Sequence, residues 1–233
     1  MRCLVITGAS SGIGRAIAVR FLRDGFSVVN LSRRVCPESE VDTLCCDLSK
    51  PGAVDGIKKR LRARLQDAEA ICLVHNASAM RRDSVSDLTD AALRQVLELN
   101  LVAPTALNQI VLPLMKPGSS LIYVGSTLAQ KAVPGAASYV IAKHGLIGMM
   151  RAACQDLAGR GIHTCAICPG FTDTEQLRAL TANDADTLAS LAAMSAFDRL
   201  IEPDEIADTL AFAARSPVLN GAVIHANLGQ RER

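Results

Sequence analysis

In the stretch ASYVIAKHG, Ala137 to Gly145, a tyrosine and a lysine stand four residues apart among small and apolar neighbours. On a helix, residues i and i+4 share a face with Cβ atoms about 5 to 6 Å apart, so Tyr139 and Lys143 point the same way. A free phenol, with a pKa of about 10, is a poor acid or base near neutrality. An ammonium group beside it favours the phenolate and lowers that value, giving a pair able to move a proton. A ring packed in the core beside a snorkelling lysine leaves the same YxxxK spacing. The pair therefore takes its meaning from the rest of the chain.

A second chemical signal is TGASSGIG, Thr7 to Gly14, between an apolar strand pattern and a helical one. Gly8, Gly12 and Gly14 remove side chains where a backbone must turn tightly and approach a diphosphate, and the next helix aims its free amides at that anion. Together with Ser10, Ser11 and Ile13 they form the candidate cradle of a dinucleotide. About 20 residues further on, an NAD-preferring fold carries an acid for the ribose 2′-hydroxyl. Here Ser32, Arg33 and Arg34 take that place. A hydroxyl and two guanidiniums suit a 2′-phosphate, so the expected cofactor is NADP(H). Asp47 and Leu48, after the third strand, are the candidate adenine-side residues. Asp47 would accept from the adenine amino group, and a helix N-cap before Leu48 to Pro51 is its local alternative.

These residues need a scaffold, and the chain supplies one by alternation. Strand patterns cover Cys3 to Ile6, Ser27 to Leu31, Thr43 to Cys46, Ala70 to Val74, Ser120 to Val124, His163 to Ile167 and Ala222 to Ala226. Most are continuously apolar, as in strands covered on both faces. Helical spacing covers Gly14 to Arg23, Val54 to Leu65, Asp90 to Met115, Tyr139 to Ala158 and Pro203 to Ala214. The expected fold is α/β, a Rossmann-type doubly wound parallel sheet of seven strands with helices on both faces, formed by one domain over residues 1–233. Ligands of such a sheet sit at the carboxyl ends of its strands, where the motifs above also fall.

Composition narrows the partners. The 233 residues are 49% hydrophobic and 21% charged, and 25 Lys+Arg against 23 Asp+Glu leave a net charge of +2. That balance offers no attraction for nucleic acid or an anionic membrane, so a small-molecule ligand is expected. The opening MRCLVITGAS enters a strand pattern without the regions of a signal peptide, which makes cytoplasmic localisation the expectation. Among eight cysteines, Cys165 and Cys168 have CxxC spacing within a strand pattern, where residues three apart face opposite ways. Cys45 and Cys46 are separated in the same manner. Reduced core thiols are expected, and no metal.

TGASSGIG, HNAS (His75 to Ser78), Asn100 in LELNLVAP, Ser126 in YVGSTLA, YVIAK and CPGFTDT, taken together and in order, resemble the short-chain dehydrogenase/reductase family. The resemblance runs from Cys3 to about Gly229. It implies that Tyr139 is the catalytic acid/base, and that Lys143 lowers the pKa of Tyr139 and binds the nicotinamide ribose. It makes Ser126 the hydrogen-bonding partner of the substrate oxygen, and Asn100 the residue that kinks its helix and holds a relay water. Asn76 and Ala77 would face the adenosine, while Pro169, Gly170, Thr172 and Thr174 would lie over the nicotinamide carboxamide.

Within the family, SAMRRDSVSDLTDAALRQVLELNL, PGFTDTEQLRAL, RLIEPDEIADTLAFAA and NGAVIHANLGQ are similar to stretches of the 3-oxoacyl-[acyl-carrier-protein] reductases of fatty acid biosynthesis. That similarity implies an acyl thioester substrate, acyl carrier protein docked through Arg178, and a homotetramer with one interface on the helices around Asp90 to Met115 and Tyr139 to Ala158. Other family members act on sugars, steroids and polyols. A cofactor-binding regulator that lost the reaction is a further alternative, against which the four residues Asn100, Ser126, Tyr139 and Lys143 stand together. The expected substrate pocket lies between Thr127 to Ala137 and Phe171 to Leu200, the latter a mobile lid, with Phe171 and Phe197 as its aromatics. Three departures are visible: Arg34 to Asp42 is too short for a helix, His75 and Ser78 replace an asparagine and a glycine, and Leu228 replaces a glycine.

Overall fold

Alternate residues of the first strand, β1 (Arg2–Thr7), leave the sheet on opposite sides: Cys3 and Val5 join one buried cluster, Leu4 and Ile6 another. A run apolar at every position is thus a strand with a core on each face. The computed structural model describes residues 1–231. Six further strands follow: β2 (Ser27–Ser32), β3 (Val41–Cys45), β4 (Ala70–His75), β5 (Ser120–Val124), β6 (His163–Pro169) and β7 (Val223–Ala226). They form one sheet in the order β3-β2-β1-β4-β5-β6-β7, and every neighbouring pair is parallel. The order reverses between β1 and β4, which opens a crevice at their carboxyl ends.

Helices α1 (Gly12–Arg23) and α8 (Pro203–Ala213) cover one face through Ile17, Phe21, Ile206 and Leu210. The other face is covered by α2 (Lys58–Leu65), α4 (Ala103–Val111) and α5 (Ala137–Asp156) through Leu61, Leu107, Ile110, Leu146 and Met150. Cys165 belongs to the cluster of Leu4 and Ile6 and Cys168 to that of Cys3 and Val5, as strand alternation requires. Residues 33–40, between β2 and β3, contain no helix.

The helical pattern expected as one piece over Asp90 to Met115 is broken. Helix α3 (Asp90–Leu97) passes into a π-helical turn, Glu98–Val102, before α4 resumes. Ala103 N donates to Glu98 O, five residues back. Pro104 explains the change of register, because it has no N–H to donate to the carbonyl of Asn100 four residues earlier. Over Asp90–Leu114 this run is long and apolar enough to cross a membrane by length and composition. Its apolar side is instead that of a core helix, with Leu107 and Val111 fully buried. The pattern expected from Val54 begins as a 3-10 turn, Asp55–Ile57, and turns α-helical only at Lys58, after Gly52 and Gly56. Strand β3 starts at Val41 rather than Thr43, where Val41 pairs with Val28 and is buried.

Candidate active site

The loop after β1 is held from both sides. Gly8 and Gly12 have φ of +76° and +53°, in the left-handed region that glycine tolerates. Gly14 is constrained by space: a Cβ there would lie 2.2 Å from Gly8 O and 2.5 Å from Asn76 Nδ2. Asn76 Nδ2 donates to Thr7 O at 2.9 Å, and the backbone N–H groups of Asn76 and Ala77 both donate to Thr7 Oγ1 at 2.9 Å. Asn76 therefore fastens the loop as well as bordering the cleft beyond it. From the other side, Asn30 Oδ1 accepts from Ala9 N at 2.9 Å. Helix α1 starts at Gly12 with no capping side chain and no acid in its first turn. Its amides and positive dipole end are open to an anion.

This helix end faces a cleft of about 1300 Å³. All six loop residues border it, as do Ser32, Arg33, Arg34, Asp47, Leu48, Asn76, Ala77, Ser126, Tyr139, Lys143, Pro169, Gly170, Thr172 and Thr174. At the adenine end Arg33 and Arg34 are exposed, Arg34 Nη2 donates to Ser11 Oγ at 3.3 Å, and Ser32 Oγ donates to Arg34 O. Asp47 accepts from Ser49 N at 3.1 Å and Ser49 Oγ at 2.7 Å, and the Ser49 bonds are the main reason its carboxyl is held below the usual range. A turn, not a helix, follows it, so the N-cap alternative does not apply. Next to it Cys46 borders the cleft, and burial pushes its thiol up to about 11, leaving it unreactive.

At the far end, Ser126 follows β5, and Tyr139 and Lys143 come from the first turns of α5. Lys143 is buried, donates from Nζ to Val124 O at 2.9 Å, and lies 5.4 Å from the centre of the Tyr139 ring. Ser126 Oγ accepts from Leu128 N at 3.1 Å and keeps its own O–H to donate. Asn100 stands apart from these three: it is buried behind the cleft wall in the π turn. Its Nδ2 donates to Val96 O at 2.9 Å and its Oδ1 accepts from Ser78 Oγ at 2.7 Å. Ser78, the residue in place of a glycine, is thus the partner of Asn100.

The substrate side departs from expectation in its aromatics and its helices. Phe171 lines the cleft, but Phe197 is 68% exposed and is not among the residues that line it. Of the segment 171–200, helix α6 (Glu175–Leu180) contributes Leu177 and Leu180, whereas α7 (Ala185–Ala192) contributes none of the lining. Arg178 forks onto Asp173, with Nε and Nη2 each 2.6 Å from a carboxylate oxygen. Arg81, Gln95, Gln230 and Arg231 also line the cleft, and nothing in local spacing singled them out. Leu228, at the position where the family resemblance implies a glycine, has a left-handed backbone at φ +50°. No group of three or more His, Cys, Asp or Glu able to hold a metal occurs among the described residues.

Residues 8–230 match a family model described as Enoyl-(Acyl carrier protein) reductase, a model of short-chain dehydrogenases and reductases. The chain is 29% identical to the 3-oxoacyl-[acyl-carrier-protein] reductase FabG of Escherichia coli over 237 aligned residues, covering 97% of this chain and 95% of that protein. It is 32% identical to a 3beta-hydroxysteroid dehydrogenase of Mediterraneibacter gnavus over 207 residues, covering 82% and 74%. Among solved structures, a short chain dehydrogenase of Burkholderia cenocepacia in complex with NADP superposes with a TM-score of 0.86 at 26% identity, covering 98% of this chain and 97% of that one. The match over nearly the whole chain makes this protein an oxidoreductase of the short-chain dehydrogenase/reductase family.

Proposed function

We propose that this protein is an NADPH-dependent carbonyl reductase that converts 3-oxoacyl thioesters to 3-hydroxyacyl thioesters in fatty acid biosynthesis. One observation carries the reading: Ser126, Tyr139 and Lys143 converge on one end of a cleft whose other end is an uncapped helix N-terminus flanked by Arg33 and Arg34. The cleft fits a dinucleotide, because the glycine loop and the start of α1, with neither a capping side chain nor an acid in its first turn, border it. Helix α1 and its loop would hold the diphosphate, Arg33 and Arg34 the 2′-phosphate, and Lys143 the nicotinamide ribose. When bound, the reduced nicotinamide supplies a hydride to the carbonyl carbon. The chain's own part is then to receive the charge that grows on oxygen. Ser126 donates a hydrogen bond to that oxygen, and Tyr139 transfers its phenolic proton to it, completing the alcohol. Lys143, tied to Val124 O, stands 5.4 Å from the centre of the Tyr139 ring.

The acyl substrate is supported by the FabG relatives and by the apolar lining that Leu128, Val133, Phe171, Leu177, Leu180 and Met194 supply. Segment 171–200 acts as the lid in this reading. A homotetramer would cover Val102 and Ile141, which stand 49% and 44% exposed around the α4 and α5 faces. Acyl carrier protein would approach the cleft mouth, with Arg178 offering only what its bond to Asp173 leaves over. The cytoplasm is the proposed location. The relative from Mediterraneibacter gnavus supports a second reading with a hydroxysteroid substrate. The deciding experiment measures initial rates of NADPH oxidation with acetoacetyl-coenzyme A and of NADP+ reduction with a 3β-hydroxysteroid, each repeated with the NAD form. NADPH-selective turnover of the thioester is expected. Steroid turnover alone would replace the substrate, and equal use of NADH would remove the 2′-phosphate assignment.

A further inference from the structure

Helix α5 carries Tyr139 as its third residue, yet it begins without a capping side chain of its own, since Ala136 stands at the cap position. Its first amides are met from outside the helix. Asp83, in the connection between β4 and α3, is 55 residues from Ser138 in sequence, and its Oδ1 accepts from Ser138 N at 2.9 Å. Its Oδ2 accepts from Ser138 Oγ at 2.6 Å. The backbones are tied as well: Asp83 N donates to Gly135 O and Ala137 N donates to Asp83 O, both at 3.2 Å. Asp83, Ala136 and Ser138 are all buried. Arg81, which borders the cleft, has its Nε 3.9 Å from Asp83 Oδ2.

A buried carboxylate is costly unless its hydrogen bonds are made, and here they are made to the residue immediately before the tyrosine. A negative charge at a helix N-terminus is also favoured by the helix dipole. None of the steps of carbonyl reduction uses Asp83. We infer that Asp83 is a positioning residue for the reaction: by capping α5 from a distant loop, its carboxylate fixes the first turn of that helix and hence where the Tyr139 hydroxyl meets the substrate oxygen. The inference rests on the reading of Tyr139 as proton donor. Its physical scale is that of misplacement, where a shift of about 1 Å costs on the order of 100-fold in rate.

The test compares Asp83→Ala, Asp83→Asn and Ser138→Ala with the wild type in four readouts: kcat, KM, NADPH affinity by fluorescence, and hydrogen exchange of the Ser138 and Tyr139 amides in the protein without cofactor. Asp83→Ala is expected to lower kcat by roughly 100-fold, with KM and NADPH affinity little changed and faster exchange at both amides. Asp83→Asn keeps an acceptor for Ser138 N and should recover most of kcat. Ser138→Ala removes only the hydroxyl bond and should fall between Asp83→Asn and Asp83→Ala. Wild-type kcat in Asp83→Ala, or a loss shared equally with NADPH affinity, would overturn the assignment. Should Asp83→Ala not fold, wild-type kcat in both other variants would do the same. A wild type that reduces no carbonyl compound would count against the proposed reaction, while the exchange comparison would still decide the clamp.

Discussion

At the scale of single residues, Tyr139 and Lys143 do different things from neighbouring positions on one helix. Lys143 is held, buried, by the carbonyl of Val124 at the end of β5, so its charge stays beside the Tyr139 ring. Tyr139→Phe removes the proton and keeps the ring. It should leave NADPH binding unchanged and lower kcat by about 1000-fold or more, near the upper part of the range for a general acid. Fluorescence titration beside steady-state rates checks this, and undiminished kcat would sink the role. Arg33→Ala tests the adenine end. Losing a charge-assisted contact to a 2′-phosphate, about 1.5 to 3 kcal/mol, should raise the Kd for NADPH by about 10- to 100-fold and leave that for NADH alone. Equal weakening of both would show that Arg33 does not read the phosphate.

The secondary elements matter here mainly through their ends. The Gly14 position has no room for a side chain, because Gly8 O and Asn76 Nδ2 occupy the space. Gly14→Ala should therefore push the loop off the α1 terminus, abolish measurable NADPH binding, and lower stability by about 1 to 3 kcal/mol, the cost of overpacking. Calorimetry and urea titration read both effects, and normal NADPH binding by the Gly14→Ala variant would contradict the tight approach. The π turn between α3 and α4 depends in turn on a side chain from another loop. Removing the hydroxyl in Ser78→Ala leaves the buried Asn100 Oδ1 without that donor, so a loss of about 1 to 3 kcal/mol in urea unfolding is expected. Stability equal to the wild type would mean that the Asn100 contact is dispensable.

At the scale of the whole molecule, the sheet carries a polar cluster inside its core. His75 Nε2 and Asn108 Oδ1 are 2.8 Å apart, Asn108 Nδ2 donates to Tyr123 Oη at 3.1 Å, and His75 Nδ1 has no partner. Burial pushes the His75 pKa down to about 4 and that of Tyr123 up to about 12. The unfolded chain takes up the His75 proton near 6.5, the folded chain only near 4. Between those values the unfolded state binds more protons, so stability falls as pH falls through that window, by up to about 3 kcal/mol. His75→Asn, polar but without that titration, should flatten the slope of urea midpoint against pH relative to the wild type. Parallel slopes would mean that His75 is not buried as a neutral ring.

The seven strands, the glycine loop and the shared face of Tyr139 and Lys143 were determined by the sequence itself, as short apolar runs, as glycine spacing between a strand and a helix, and as a 3.6-residue period; the π turn at Glu98–Val102 and helices α6 and α7 were not. The short link between β2 and β3 was determined by it too, expected over Arg34 to Asp42 and found over residues 33–40, which hold no helix. What only the tertiary structure decided are the pairings between distant positions: Asp83 with Ser138, Ser78 with Asn100, His75 with Asn108 and Tyr123, and Arg81, Gln95 and Gln230 brought to one rim. The exposure of Phe197 and the pairing of Arg178 with Asp173 belong to the same class. Such pairings have no period along the chain. They follow from the order of the parallel strands, which brings loops tens of residues apart to the same edge of the sheet.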